Sequence, residues 1–387
     1  MRILHCCLAG PFTDDYGYQD NILSKMHKLQ GHDVYILTST EIWENGVALG
    51  YTTPRSYFTK EGIPITRVPY IKWLPHFVLR KLRIYKGILR YLENVKPDII
   101  FIHDAQFLSI LTIVWFIKKY GSTKIYVDCH ADFVNSARNC ISKNILHKVI
   151  YKYCFQKIEP YTRKFYGTLP LRVNFLKDVY NIPEHKTELL LMGVDDTLVD
   201  KSKKDDIRKD VRKKYNIFFN DFLIVTGGKI GREKNIHSLI NAFNGLNVSN
   251  TKLLIFGSII DDVKCEIEEM LLQSKDIIFV GWQSSTEIYN ILLASDLAVF
   301  PGRHSVLWEQ AVGLGLPCVF KKWDGHQHVD VGGNCLFVDE DSVITLKEVL
   351  SNIVNNQDLY NAMKHVALEK GTQMFSYYEI AKHAIEQ

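Results

Sequence analysis

Two stretches in the second half of the chain bring small, basic and acidic residues together in a pattern that suits a nucleotide ligand. The first covers 227–235 and holds Gly228, Lys229 and Lys234 between an apolar strand-like run and a helical pattern. Glycine lets the backbone approach a ligand closely, and lysines concentrate positive charge, as a diphosphate requires. A solvated basic turn has the same composition, so this stretch alone leaves both interpretations open.

The second stretch covers 300–311, where an apolar run ends and a helical pattern begins near Ser305. Backbone N–H groups at the start of a helix suit phosphate oxygens, and a carboxylate can hold ribose hydroxyls. Glu309 is placed to take the second role, although a glutamate on a helix is more often a surface residue. Its apolar neighbours indicate a buried helix, and a buried carboxylate needs partners because its charge is costly to desolvate.

Metal ligation has weaker support in the same region. His326 and His328, with Asp324 and Asp330 nearby, have ligand-type side chains, and 339–341 has the Asp-x-Asp form of some metal-dependent transferases. A solvated loop explains both features better. We therefore predict no metal ion and no cofactor.

An alternating pattern of apolar runs and helical segments places these stretches in a fold. Strand-like runs in the first half lie at 1–9, 33–39, 98–103, 124–130, 165–169 and 188–192. After the charged segment 195–214 the pattern restarts, with runs at 222–227, 252–257, 277–281, 297–301 and 317–321. Strands that alternate with helices indicate βαβ units around a parallel sheet. We expect an α/β fold of two doubly wound, Rossmann-like domains, with ligands at the carboxyl ends of the strands.

Bulk properties narrow the class of protein. A chain of 387 residues is too long for one ordinary core, and a net charge of +4 does not indicate nucleic-acid binding. No apolar run reaches the roughly 18 residues of a membrane span. The eight cysteines form no Cys-x-x-Cys pair, which favours reduced thiols and a cytoplasmic location.

Basic and aromatic residues are interleaved at 71–92 and 138–165 in the first half. Amphipathic basic segments suit an anionic membrane surface, so peripheral contact with the inner face of a membrane is one interpretation. Solvated helices whose apolar side packs on the sheet are the equally weighted alternative.

The ordered series of motifs resembles the GT-B-fold glycosyltransferases of family 4, the retaining group 1 enzymes that build bacterial surface polysaccharides. The matching stretches are 31–34, 97–103, 192–195, 228–234, 297–301, 307–311, 315–317 and 333–338. The resemblance covers nearly the whole chain. It implies two Rossmann-like domains facing a central cleft, namely an acceptor domain at 1–195 and a donor domain at 196–365. A last segment, 366–387, would pack back on the first domain.

The resemblance also implies roles for particular residues. His130 would lie near the reacting sugar and, with Lys234 and Glu309, form the catalytic group. The donor, a nucleoside-diphosphate sugar used as co-substrate without a metal, would bind Gly228, Lys229, Lys234, Arg303, His304, Ser305, Val306 and Glu309. A saccharide acceptor, in some family members linked to a lipid, would bind near Gly10, Tyr16, Gly17 and His103.

One departure from the family pattern concerns the donor sugar. The family has a second glutamate eight positions before the residue matched by Glu309, and this chain has Pro301 there. Arg303, His304 or Ser305 would have to replace it. A nucleotide-sugar 2-epimerase of the same fold, or a catalytically degenerate homologue that binds a nucleotide sugar or polysaccharide, therefore remain as alternatives to a transferase.

Overall fold

A computed structural model describes residues 1–44, 48–133, 136–137, 139–246, 248–339 and 342–386. The chain divides into two compact units. The N-terminal unit comprises Met1–Leu191 together with the C-terminal residues from Ile380, and the C-terminal unit comprises Met192–Glu379. The domain limits inferred from the family resemblance were 1–195, 196–365 and 366–387.

The N-terminal unit is built on a sheet of eight strands plus a separate two-stranded hairpin. Its strands are β1 (Arg2–Cys7), β2 (Asp33–Ser39), β3 (Glu41–Glu44), β4 (Ala48–Tyr51), β5 (Arg55–Phe58), β6 (Pro64–Val68), β7 (Ile99–His103), β8 (Lys124–Cys129), β9 (Thr162–Gly167) and β10 (Thr187–Leu189). The order in the sheet is β10-β9-β8-β7-β1-β2-β6-β5, parallel except for β5 against β6, and β3 pairs with β4 in the hairpin. Strand runs such as IIFIH are buried throughout because helices cover both faces of a parallel sheet.

The helices of this unit connect the parallel strands. They are α1 (Gln19–Leu29), α2 (His76–Leu82), α3 (Ile88–Val95), α4 (Ile110–Tyr120), a π-helical segment (Ser142–Tyr151), α5 (Lys152–Ile158) and α6 (Pro170–Asp178), with short 3₁₀ turns at Glu159–Tyr161 and Glu184–Lys186. The hairpin and β5–β6 were not expected from the sequence. Their strands are only four or five residues long and β5 is largely exposed, so they lack the buried apolar run that reveals a central strand.

The C-terminal unit holds a six-stranded parallel sheet in the order β13-β12-β11-β14-β15-β16. Its strands are β11 (Phe222–Ile230), β12 (Thr251–Ile259), β13 (Ile277–Phe279), β14 (Leu297–Phe300), β15 (Cys318–Lys321) and β16 (Cys335–Val338). Its helices are α7 (Lys204–Lys214), α8 (Ile236–Asn244), α9 (Lys264–Leu272), α10 (Ser285–Ala294), α11 (Leu307–Gly313), α12 (Val343–Asn355), α13 (Gln357–Val366) and α14 (Thr372–Met374), and α15 (Tyr377–Glu386) begins in this unit. Short 3₁₀ turns occur at Asp196–Leu198, Lys201–Lys203, Arg232–Lys234 and Gln327–Val329, and a π-helical turn at Ala367–Gly371.

The charged segment after residue 195 is more than a solvated linker. Arg208 and Arg212 of α7 both pair with Asp296, at 2.8 and 2.7 Å, and the Arg212 side chain is buried. Asp296 also accepts the backbone N–H of Leu223 at the start of β11. The charges of α7 therefore fix this helix against the amino end of the sheet.

The last helix, α15, contributes to the N-terminal unit from Ile380 onward. The hydroxyl groups of Tyr126 and Tyr166 donate to the carbonyls of Ile385 and Ala384 at its end, at 3.1 and 3.3 Å. The Asp-x-Asp pattern at 339–341 lies mostly outside the described residues.

Candidate functional site

The carboxyl ends of β11 and β14 lie side by side in the middle of the C-terminal sheet. From this pair the strand order runs outward in opposite directions, through β12 and β13 on one side and β15 and β16 on the other. Such a reversal opens a crevice between the loops that leave the two strands, and open α/β sheets bind ligands there. The two stretches singled out in the sequence, 227–235 and 300–311, include the loops that follow these strands.

The two loops are in direct contact. The backbone N–H of Arg303 donates to the carbonyl of Glu233 over 2.7 Å. A Cβ added to Gly302 would lie 2.4 Å from that carbonyl oxygen and from the carbonyl carbon of Lys234, so only glycine fits at this position. The fold therefore brings the two stretches singled out in the sequence, 227–235 and 300–311, together at one end of the sheet.

Lys234 ties the two loops together through its side chain. Its Nζ donates to the carbonyl of Arg303 over 2.7 Å and to that of His304 over 3.4 Å. Burial, with a further contribution from the charge of Arg303, lowers the pKa of Lys234 to about 8. The ammonium is held at the strand ends and is still mostly protonated at neutral pH.

Other predicted donor residues lie in a different local structure from the one expected. β11 continues to Ile230, so Gly228 and Lys229 belong to the strand rather than to a glycine-rich turn. Gly228 has φ +115, a conformation that favours glycine, and Lys229 is exposed. Helix α11 begins at Leu307, two residues later than expected, and has seven residues. Val306 is its N-cap residue, and Ser305 Oγ is buried without a partner in the described residues.

Glu309 is fully buried and carries the central charge of this site. Its Oε1 accepts hydrogen bonds from Nε2 of His304 at 2.8 Å and Nε2 of His328 at 2.9 Å. Burial alone would raise the pKa of Glu309, but the two imidazoles outweigh it and hold the pKa well below its usual range. Glu309 Oε2 is buried and has no partner among the described residues, so one acceptor is left over.

The same three side chains place possible metal-ligand atoms within 4.8 Å of one another. This set differs from the His326, His328 and aspartate combination considered from the sequence. The Nδ1–H of His326 donates to the carbonyl of Asp324 at 3.2 Å, and burial lowers the pKa of His326 to about 4. The N···O distances at Glu309 are ordinary hydrogen-bond lengths, which two imidazole N–H groups on one carboxylate oxygen account for.

In the N-terminal unit, the loop after β1 carries three predicted acceptor-side residues. A Cβ added to Gly10 or Gly17 would meet nothing within 4 Å, so the space at both positions is open. The Tyr16 ring stacks on Tyr18 with 5.4 Å between centroids. This loop leads into α1, whose first turn holds Asp20, a carboxyl group with a pKa raised by burial.

His103 and His130, both predicted from the sequence, meet at Asp128. Nδ1 of His103 lies 2.7 Å from Asp128 Oδ2, and Nε2 of His130 lies 3.5 Å from Asp128 Oδ1. Burial would raise the pKa of Asp128, but these histidines outweigh it and hold it well below its usual range. The charge of Asp128 in turn outweighs burial and raises the pKa of His130, whose side chain is 38% exposed.

Asp104 completes this cluster and was missed in the sequence. It has φ +64, rare for a residue other than glycine, and its backbone N–H donates to Asp128 Oδ1 at 3.2 Å. Burial raises the pKa of Asp104 to about 6. A signal was available, because Asp104 and Asp128 lie at or near the carboxyl ends of neighbouring apolar strands.

The basic, aromatic segments of this unit form one amphipathic surface. Phe77 of α2 is 73% exposed, and the π-helical segment with its preceding residue exposes Ile141, Ile145 and Val149. The hydroxyl of Tyr151 joins the segments by donating to the Lys81 carbonyl at 2.9 Å. Within the described residues, every helix is too short or too polar to cross a lipid bilayer.

Comparisons with known proteins agree with this architecture. Residues 207–370 match the family described as Glycosyl transferases group 1. The fold is similar to that of sucrose-phosphate synthase from Thermosynechococcus elongatus, with 15% identity and a TM-score of 0.65 over 99% of this chain and 96% of that one. No curated protein matches the chain in sequence.

Two further solved structures are similar in fold and contain nucleotide ligands. HepE from Anabaena, in complex with UDP and glucose, has 14% identity and a TM-score of 0.62 over 99% of this chain and 98% of that one. The UDP-GlcNAc 2-epimerase from Neisseria meningitidis, bound to UDP-GlcNAc, has 11% identity and a TM-score of 0.62 over 100% and 99%. At these identities the likeness concerns the fold, and the functional roles must be argued from the residues.

Proposed function

We propose that the chain is a glycosyltransferase that moves a sugar from a nucleoside-diphosphate sugar to a saccharide acceptor, since residues 207–370 match the family described as Glycosyl transferases group 1 and the fold is similar to that of a sucrose-phosphate synthase. The observation that carries this proposal is the junction of the loops after β11 and β14. There the Lys234 ammonium and the buried Glu309 carboxylate lie at the strand ends where α/β sheets bind nucleotides.

Lys234 is the group that stabilises the departing diphosphate in this proposal. A fixed ammonium costs no reorganisation when negative charge develops on the leaving group, and a half-buried position strengthens the attraction. Lys229 and Arg303, both exposed, add positive charge around it. Helix α11 has only seven residues, so we assign binding of the diphosphate to the lysines and not to the N-terminus of this helix.

Glu309 is the group that holds the donor ribose. His304 and His328 both donate hydrogen bonds to Oε1, which leaves the unpartnered Oε2 to accept hydrogen bonds from the ribose hydroxyl groups. Since Glu309 has no exposed surface, binding of the ribose requires that a group covering Oε2 move. His304 is one of the residues that could replace the family's second glutamate, which is absent from this chain, and we assign it contact with the donor.

On the acceptor side, His130 is the group closest to the chemistry in this proposal. It is partly exposed at the end of β8, and Asp128 favours its protonated form. The transfer uses no metal ion and retains the anomeric configuration, as in the family that the sequence resembles. The acceptor is a saccharide of surface polysaccharide or glycan biosynthesis.

A lipid-linked form of that acceptor would place the enzyme at an anionic membrane. The amphipathic surface defined by Phe77, Lys81, Ile141, Ile145 and Val149 supports peripheral contact because exposed apolar side chains lie beside basic ones.

The first experiment measures thermal stability with UDP, GDP, ADP and CMP in the wild type and in Glu309→Ala. A nucleotide at about 100 times its dissociation constant adds roughly 2.7 kcal/mol of stability. We expect a shift with one nucleoside diphosphate that is lost in Glu309→Ala and kept in Glu268→Ala, a change at an exposed glutamate of the same unit. No shift with any nucleotide would contradict the donor site.

A nucleotide-sugar 2-epimerase is the alternative enzyme, since one such enzyme shares the fold. An epimerase turns over its nucleotide sugar without any acceptor. Incubation of the chain with each candidate nucleotide sugar alone therefore decides between the two: formation of an epimer would contradict the transferase proposal.

A further inference from the structure

A chain of hydrogen-bonded histidines crosses the core of the N-terminal unit and ends at the cluster around His130. His27 Nε2 lies 2.8 Å from the Ala381 carbonyl oxygen, and His27 Nδ1 lies 2.9 Å from His5 Nε2. His5 Nδ1 lies 2.9 Å from His103 Nε2, and His103 Nδ1 lies 2.7 Å from Asp128 Oδ2. The four side chains His5, His27, His103 and Asp128 are all buried.

Strand register explains why these residues meet. His103 of β7 pairs directly with Asp128 of β8, and His5 of β1 pairs with Phe101, two residues before His103 on the same face of the sheet. α1 lies next in sequence to β1 and brings His27 onto this face. The chain of contacts therefore runs from α15 across α1, β1 and β7 to β8.

The backbone carbonyl of Ala381 fixes the direction of every hydrogen bond in this chain. A carbonyl oxygen only accepts, so His27 Nε2 carries a proton. Burial lowers the pKa of His27 to about 3 and that of His5 well below its usual value, so both rings are neutral. A neutral His27 must accept at Nδ1, so His5 donates from Nε2, and a neutral His5 must then accept at Nδ1 from His103 Nε2.

This order of donors leaves a single solution at the far end. His103 Nε2 already carries a proton, yet Nδ1 also faces the Asp128 oxygen at 2.7 Å. An imidazole nitrogen without a proton cannot lie at this distance from a carboxylate oxygen, because both atoms would be acceptors. This link therefore holds one proton in addition to the proton on His103 Nε2, and the His103–Asp128 pair is neutral as a whole.

We infer that His5 and His27 are positioning residues for the acceptor-side chemistry: their fixed tautomers keep a second proton in the link between His103 and Asp128, which sets the charge that His130 experiences. This inference rests on the proposed role of His130. Asp128 Oδ1 is shared between His130 Nε2 and the backbone N–H of Asp104. Because the His103–Asp128 pair is neutral as a whole, it attracts a proton on His130 less strongly than a bare carboxylate would.

Loss of His27 would release this constraint. His5 could then carry its proton on Nδ1 and donate to His103 Nε2, and a neutral His103 would donate from Nδ1 to Asp128. The Asp128 carboxylate would act on His130 without a compensating cation, and the pKa of His130 would rise. The other titratable and charged groups that face this cluster among the described residues include Asp20, Asp104, Arg83 and Arg172, with His32 beside His27, and the variant replaces none of them.

The test combines ¹⁵N NMR of histidine-labelled protein with pH profiles of kcat in the presence of donor and acceptor. The variants are His27→Leu, which removes the acceptor for His5, and His27→Gln, whose amide can still donate to Ala381 and accept from His5. The control is His147→Leu. His147 is also buried in this unit, but its hydrogen bond of 2.7 Å goes to Tyr180, which does not belong to the series of hydrogen-bonded histidines.

We expect His103 Nε2 to carry a proton in the wild type, with a further proton in the link between Nδ1 and Asp128. In His27→Leu, one nitrogen loses its proton and the limb of the kcat profile that belongs to His130 moves upward by roughly one pH unit, with an unchanged KM for the donor. His27→Gln restores the wild-type profile, and His147→Leu leaves it in place. A His103 Nε2 without a proton in the wild type, or an unchanged profile in His27→Leu, overturns the inference.

The proposed function fails in a different way. If His130→Ala keeps full activity and an unshifted pH profile, His130 has no role in transfer. The NMR spectrum would still report the tautomers of His27, His5 and His103.

Discussion

His304 Nε2 donates a hydrogen bond of 2.8 Å to Glu309 Oε1, and with His328 it encloses a carboxylate that has no exposed surface. The charge of Glu309 is therefore compensated inside the C-terminal unit before any ligand arrives. Because removing one member of a buried charged network leaves the others without a partner, this relationship makes Glu309 a residue of the fold as well as of the site.

The first prediction concerns the stability contribution of Glu309. Glu309→Ala leaves the N–H groups of two imidazoles without an acceptor, and we expect it to lower the free energy of unfolding by about 3 kcal/mol. Urea unfolding followed by circular dichroism measures this change. Glu268→Ala, at an exposed glutamate, should change the value by less than about 0.5 kcal/mol. Equal effects of the two changes would contradict the buried network.

The second prediction concerns the pH dependence of diphosphate binding. The pKa of Lys234 is about 8, so the ammonium is charged below this pH and loses its proton above it. An anionic diphosphate favours the charged form, and affinity should therefore fall as the pH rises through 8 and beyond. Calorimetric titration with the nucleoside diphosphate identified by thermal shift, from pH 6.5 to 9.5, measures the dependence.

Two variants separate this effect from general charge loss. Lys234→Arg keeps the charge throughout this range and should flatten the pH dependence. Lys229→Ala removes an exposed lysine and should weaken binding by a pH-independent factor. A Lys234→Arg profile identical to that of the wild type would show that another group titrates.

The third prediction concerns the contact between the loops that follow β11 and β14. Gly302→Ala places a methyl group 2.4 Å from the Glu233 carbonyl oxygen, which forces the loops apart and moves Lys234 away from the Arg303 and His304 carbonyls. We expect at least about a tenfold loss of diphosphate affinity, or 1.4 kcal/mol. Gly10→Ala meets nothing within 4 Å and should leave thermal stability unchanged.

Sequence patterns predicted the elements that position the site more completely than the site itself. The central strands of both sheets, such as β7 and β12, are continuous apolar runs, and their alternation with helices specified two parallel sheets. The motifs at 228–234 and 307–311 marked the end of β11 and the segments after β11 and β14, which the proposed function assigns to the donor. The length of β11 was underestimated because the apolar run in the sequence stops before Gly228 and Lys229. In the structure both residues still pair with β12.

The hydrogen-bonded groups could not be predicted in the same way. His304 and His328 are 24 residues apart in the chain and meet only because the loops after β14 and β15 close on one carboxylate. His5 and His27 were not singled out in the sequence, since their partners depend on which strands are neighbours. Strand order and tautomers are properties of the assembled sheet, whereas periodicity reports only which face of an element is apolar.

The fourth prediction concerns metal ions. The proposed transfer needs none, and the two imidazole N–H groups already account for the contacts at Glu309. Dialysis against EDTA should leave transfer activity unchanged, and elemental analysis of the protein should find less than one equivalent of zinc, nickel or cobalt. Loss of activity on chelation that Zn²⁺ restores, and that disappears in His328→Ala, would instead identify His304, Glu309 and His328 as metal ligands.

The fifth prediction concerns the amphipathic surface of the N-terminal unit. Apolar burial and attraction of basic residues both favour binding to anionic vesicles, and the electrostatic part, about 1 kcal/mol for each basic residue near the surface, weakens as salt rises. We expect the chain to sediment with vesicles of phosphatidylglycerol at low salt, and Phe77→Ser with Ile145→Ser to reduce the bound fraction several-fold. Phe218→Ser with Phe219→Ser, at two phenylalanines of the C-terminal unit that are each 76% exposed, should not reduce it. Equal loss in both pairs, or binding that is insensitive to salt, would contradict a specific membrane-facing surface.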